Sequence, residues 1–86
     1  MIFLKLETLD QVNYLTNVCE TYKDKMDVDI SHGRYIVDGR SVLGVTSMLG
    51  NIIKIIPRTE DELLINYFYK DLEEIGVYKI NKEERN

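Results

Sequence analysis

Hydrophobic and polar positions change period several times along the chain, and the changes mark its elements. Ile2, Leu4 and Leu6 alternate with Phe3, Lys5 and Glu7, the period of a half-buried strand. From there Leu9, Val12, Leu15, Cys19 and Tyr22 recur at helical spacing, with Val18 alongside, as far as about Lys23. Thr8 and Gln11 stand three apart at the start of that helix, as a capping box requires. After the charged turn Lys23-Asp24-Lys25, a second strand is expected over Met26 to Ile30, where Met26, Val28 and Ile30 alternate with Asp27 and Asp29. Ser31-His32-Gly33 supplies hairpin chemistry, with Gly33 as the residue of positive φ, and Arg34 to Val37 returns as the third strand.

The next stretch, V-D-G-R-S-V-L-G-V-T-S-M-L-G over residues 37–50, organises the rest. It breaks at Asp38-Gly39 and restarts as a short helix with Ser41 at the N-cap. Gly44 weakens that helix internally, and Gly50-Asn51 ends it. Val42, Leu43, Val45, Met48 and Leu49 are too many apolar residues for one narrow inward stripe, so some are expected to face solvent or a partner. Ile52 to Ile56 is β-branched apart from Lys54 and reads as a fourth strand stopped by Pro57. Thr59-Glu60-Asp61-Glu62 reads as a second capping box. Leu64, Phe68, Leu72 and Ile75 line one face of a third helix, with Leu63, Ile65, Tyr67 and Tyr69 around it and Gly76 at its end. Val77 to Ile80 is expected as a short extension on the sheet edge, and residues 81–86 as a charged tail.

The order is β-α-β-β-α-β-α in one domain over residues 1–80. The expected fold class is α+β: an open-faced sandwich with a four-stranded antiparallel sheet covered by helices on one face. Composition narrows the function. A net charge of −4 without a basic run argues against nucleic acid as a partner. The chain lacks an apolar run approaching the ~20 residues of a membrane span. Its single cysteine fits a reduced, cytoplasmic protein.

Candidate chemistry is sparse. His32 is the one histidine, placed in the hairpin turn without a second His or Cys near it in sequence, so a metal site has no ligand set. Asp27 and Asp29 share a strand face, as alternation on a solvated face provides. Tyr67, Phe68 and Tyr69 read as core and rim rather than a ligand platform. No cofactor and no catalytic constellation are expected.

The run R-S-V-L-G-V-T-S, residues 40–47, resembles the regulatory-serine segment of HPr, the small phosphocarrier of the bacterial sugar phosphotransferase system. The family form is K-S-(I/L)-(M/F)-G-(V/L)-x-S, so Arg40 replaces lysine while Ser41 and Gly44 match. The resemblance implies the HPr-like order of elements already given. In the family a carrier histidine lies between the first strand and first helix in G-(I/L)-H-x-R-P; here that junction reads E-T-L-D-Q-V-N. Asp10 stands near the histidine's place. The resemblance therefore implies a regulatory member without the carrier histidine, similar to the catabolite-repression paralogue of HPr. Ser41 would be the phosphorylation site, and Arg40, Val42, Leu43 and Thr46 would contact a protein partner, a kinase or a regulator of the phosphotransferase system. Two alternatives stand beside it: a domain of this fold in which Ser41 is only a cap, and a divergent carrier using Asp10 or His32.

Overall fold

A computed structural model describes residues 2–79. The elements are β1 (Ile2–Lys5), α1 (Leu9–Thr21), β2 (Asp27–His32), β3 (Tyr35–Asp38), α2 (Val42–Thr46), β4 (Ile52–Arg58), α3 (Glu62–Asp71), a 3-10 turn (Glu73–Ile75) and β5 (Tyr78–Lys79). The β-α-β-β-α-β-α order read from the sequence is thus present. The end of the expected edge extension, at Ile80, and the tail 81–86 lie outside the described residues.

Four antiparallel strands lie in the order β3-β2-β4-β1, and β5 adds a two-residue pairing outside β1. Ile2, Leu4, Val28, Ile30, Ile53 and Ile55 point from the sheet into the core. There they meet Val12, Leu15 and Cys19 of α1, Val45 of α2, and Phe68 and Leu72 from α3 and its C-cap. Alternate residues, among them Lys5, Asp27, Asp29, Lys54 and Ile56, lie on the opposite, open face. Period-2 patterning therefore places all helices on one side, as in an open-faced sandwich.

The first capping box forms as the sequence requires: Thr8 Oγ1 accepts from the Gln11 N–H at 3.1 Å, and Gln11 Oε1 accepts from the Thr8 N–H at 3.0 Å. The second box does not form. Asp61 is the N-cap of α3, its carboxylate accepting from the Leu64 N–H at 3.2 Å. Thr59 Oγ1 instead accepts from the Asp61 N–H at 3.1 Å, closing a turn before the helix. A carboxylate two residues nearer the helix competes successfully because an N-cap side chain must reach the N2 or N3 amide.

Other boundaries move as well: α3 ends at Asp71, with Ile75 in the separate 3-10 turn, and the third strand runs from Tyr35 to Asp38. β2 runs on through His32, so the hairpin turn is Gly33-Arg34. Gly33 takes φ 58° and among the described residues no non-glycine has positive φ, the signature of a type II′ turn. β4 continues through Pro57, opposite Val28 and beyond the last described pair with β1, Ile2–Ile55. On that side β4 is an edge there, and an edge tolerates a residue without an N–H.

Candidate functional site

The stretch after β3 is built by local hydrogen bonds. Gly39 is buried and its N–H reaches Val28 O at 2.8 Å, which turns the chain back across the sheet. Asp38 then organises the corner. Its Oδ1 accepts from the Arg40 N–H at 2.8 Å, and Arg40 Nε lies 3.5 Å from the same oxygen. The main-chain bond is the larger reason that the Asp38 carboxyl sits below the usual carboxylate range; the Arg40 side chain adds to it.

Ser41 occupies the N-cap of α2, its Oγ accepting from the Gly44 N–H at 3.1 Å. Gly44 has a second reason to be glycine. A Cβ there would stand 3.0 Å from Val37 Cβ and 3.1 Å from Ser41 Oγ, so the missing side chain lets α2 lie directly on β3. Only Val45 of the five helical residues is buried, with Met48 just beyond the helix end. Val42 is 49% exposed and Leu43 86% exposed, while Thr46 is partly covered. The expectation that some apolar residues here face outward therefore holds for Val42 and Leu43. Ser47 is the C-cap rather than an interior residue, and its hydroxyl donates to Gly44 O at 2.5 Å. Arg40, Ser41, Val42 and Leu43 are thus consecutive at one corner, with Thr46 one turn further on.

At the start of α1 the positive end of the helix is already served. Gln11 Oε1 accepts from the Glu7 N–H at 2.6 Å as well as from Thr8, and Gln11 Nε2 donates to Ile75 O at 3.0 Å. The shallow hollow there is lined by Thr8, Asp10, Gln11, Tyr14, Glu74 and Ile75. Its charged groups are the Asp10 and Glu74 carboxylates, which repel an incoming anion.

The remaining candidates have ordinary partners. His32 is half-buried at the end of β2, and its Nδ1 lies 3.1 Å from Ile52 O. A carbonyl can only accept, so Nδ1 carries the proton. No hydrogen bond or ion pair joins His32 to Asp10 among the described residues. Asp29 receives Arg58 Nε at 2.8 Å across β2 and β4, and Asp27 lies opposite Arg58 on the same face. Phe68 is core, Tyr69 half-buried and Tyr67 exposed. Among the described residues no three or more His, Cys, Asp or Glu gather where a metal could bind, and no helix is long and apolar enough to cross a membrane.

Two features escaped the sequence reading. Asp38 anchors Arg40, for which an acid two residues before a main-chain donor was the available signal. A groove of about 360 Å³ also runs between β3 and the end of α2, lined by His32, Tyr35, Ile36, Val37, Ser47 and Met48. Its signal was the unalternated Tyr35-Ile36-Val37, apolar on both faces of a strand. No protein-family model, curated protein or solved structure matches the chain.

Proposed function

We propose that this chain is an HPr-like regulatory protein of the cytoplasm that acts by binding a protein partner, with phosphorylation of Ser41 as its switch. The partner is a kinase or a regulator linked to the sugar phosphotransferase system, and the chain itself catalyses nothing. The observation that carries the reading is the position of Leu43, 86% exposed and two residues from the N-cap hydroxyl of Ser41. An exposed leucine beside a short polar corner is a contact residue in search of a pocket, since solvent exposure forgoes about 1.5–3 kcal/mol of transfer free energy. Val42 enlarges the contact, and Arg40 and Thr46 flank it.

Ser41 suits a switch because a phosphate there adds roughly −1.5 to −2 charge within one turn of Leu43. Its charge would also compete with Asp38 for the Arg40 guanidinium. The self-capped start of α1, with Asp10 and Glu74 beside it, favours this reading over a carrier using Asp10. The cap-only alternative draws on the bond from Gly44 N–H to Ser41 Oγ, which accounts for a serine without any partner.

Treatment of the chain with HPr kinase and ATP, followed by mass mapping, separates the two. Phosphate on Ser41, and on neither Thr46 nor Ser47, is expected, with Leu43→Ala slowing the reaction several-fold while leaving the fold intact. Absence of phosphate moves the reading to the cap alone. In a parallel reaction with phosphoenolpyruvate and the general phosphotransferase enzyme, no acid-labile phosphate is expected; its appearance on His32 or Asp10 would establish a carrier.

A further inference from the structure

β3 forms one edge of the sheet, and no described strand pairs with its outer side. Edge strands are ordinarily protected by lysine, proline, a bulge or a covering segment. This one instead exposes Tyr35 at 74% and Ile36 at 59%. Its hairpin geometry says which backbone groups are open. In a two-residue hairpin the residues flanking the turn exchange both N–H···O bonds, and bonded pairs alternate from there. His32–Tyr35 and Ile30–Val37 are then the bonded pairs, so Ile36, opposite Ser31, turns its N–H and C=O outward.

We propose that this edge pairs antiparallel with the same edge of a second copy, on a two-fold axis through Ile36. The sequence of the edge is its own complement in that register. Ile36 meets Ile36 of the other copy and exchanges two main-chain hydrogen bonds with it. Tyr35 lies opposite Val37, and Arg34 opposite Asp38, each occurring twice by symmetry. Face parity agrees. Arg34, Ile36 and Asp38 share the open face, so an apolar contact is flanked on both sides by opposite charges; Tyr35 and Val37 meet on the helix face beside the groove. Arg34 has no ion pair among the described residues, and Asp38 uses Oδ1 for both of its contacts with Arg40, leaving Oδ2 for the incoming guanidinium.

Other arrangements fit less well. Centring the axis on Val37 would set Ile36 opposite Asp38, and centring it on Tyr35 would set Ile36 opposite Arg34; either register puts an apolar side chain against a charge and breaks both Arg34–Asp38 pairs. A net charge of −4 per copy opposes unselective association, which leaves the two Arg34–Asp38 pairs to choose the register. The proposal does not involve Ser41 and stands or falls separately from the phosphorylation reading.

Sedimentation of the full chain from micromolar to millimolar concentration tests it together with amide hydrogen exchange. The mass should rise from one chain towards two. Exchange of the Ile36 amide should slow with concentration, while that of Val37, bonded to Ile30 in either state, should not change. Ile36→Lys should hold the chain monomeric, and Arg34→Glu should weaken pairing several-fold; both residues are exposed, and circular dichroism checks that each variant folds. A mass of one chain throughout, or a dimer with unchanged Ile36 exchange, would overturn the proposal. The exchange of the unaltered chain decides even if a variant misfolds.

Discussion

A Cβ placed on Gly39 would stand 2.8 Å from Cys19 Sγ, so the chain reversal after β3 is fitted directly against the last turns of α1. The same Cβ would lie 3.1 Å from Val28 O, a backbone atom that cannot swing away. Gly39→Ala is therefore expected to cost about 1–3 kcal/mol as an overpacked site. Cys19→Ala combined with it should recover part of that loss and not all, because the carbonyl contact remains. Burial, with the Asp38 charge second, pushes the Cys19 thiol up to about 12, so the native thiol should resist alkylation at neutral pH. Chemical denaturation of the single and double variants, with alkylation rates beside it, checks both statements.

The caps give a second test. Thr8→Ala should cost about 1 kcal/mol by removing the acceptor for the Gln11 amide. For α3 the corresponding loss belongs to Asp61→Ala, again about 1 kcal/mol, and Thr59→Ala should cost clearly less because it opens only the turn before the helix. Equal losses at Thr59 and Asp61 would restore the capping box that the T-E-D-E spacing suggests.

This contrast shows how far the sequence carries. Element order, the core faces of both long helices and the Ser41 cap were legible because hydrophobic period and N-cap chemistry are local. The choice between Thr59 and Asp61 was not, since both are competent caps and only the docking of α3 through Phe68 and Leu72 sets where the helix begins. Pro57 misled for a similar reason: whether proline ends a strand depends on whether a neighbour needs its N–H, which is a matter of sheet topology. At the candidate site, the outward position of Leu43 was foreseen from an excess of apolar residues. The tie between Asp38 and Arg40 needed the folded corner to be seen.

Tyr22 supplies an alkaline signature. Its hydroxyl donates to Asp71 Oδ2 at 2.6 Å and its ring meets Phe68 edge-on at 5.3 Å, joining the end of α1 to α3. Burial first, and the Asp71 carboxylate second, push its pKa up to about 12. A group raised in the folded state contributes stability that is complete below its unfolded value and lost as pH rises through the folded one. Stability should thus decline between about pH 10, the unperturbed tyrosine value, and the folded pKa. Tyr22→Phe should remove its own share of that decline and leave the share of Cys19 and Tyr69, which burial also raises. It should cost about 1 kcal/mol at neutral pH, below the ~1.5–3 kcal/mol of a bond to a charged group because Asp71 is exposed. Denaturation midpoints against pH, read with tyrosinate absorbance, measure both.

Asp38 gives the acid counterpart and reports on the proposed switch. Its carboxyl is held below the usual carboxylate range first by the Arg40 main-chain N–H and then by the Arg40 side chain. A depressed carboxylate contributes stability above its unfolded pKa of about 3.9, and that stability is lost as pH falls through the lower folded value. Arg40→Ala should raise the Asp38 midpoint only partly, since residue 40 keeps its N–H; the loss of the exposed ion pair itself should change stability little. Phosphate on Ser41 should raise the same midpoint further than Arg40→Ala does, because a nearby anion disfavours the charged carboxylate and draws the guanidinium away. Ser41→Asp should move it in the same direction by less, having about half the charge. Carboxyl chemical shifts followed from pH 6 downwards in the unmodified, phosphorylated and substituted chains decide the point. An Asp38 midpoint indifferent to Ser41 phosphorylation would mean that the phosphate turns away from Arg40, and the proposed switch would then have to act through Leu43 alone.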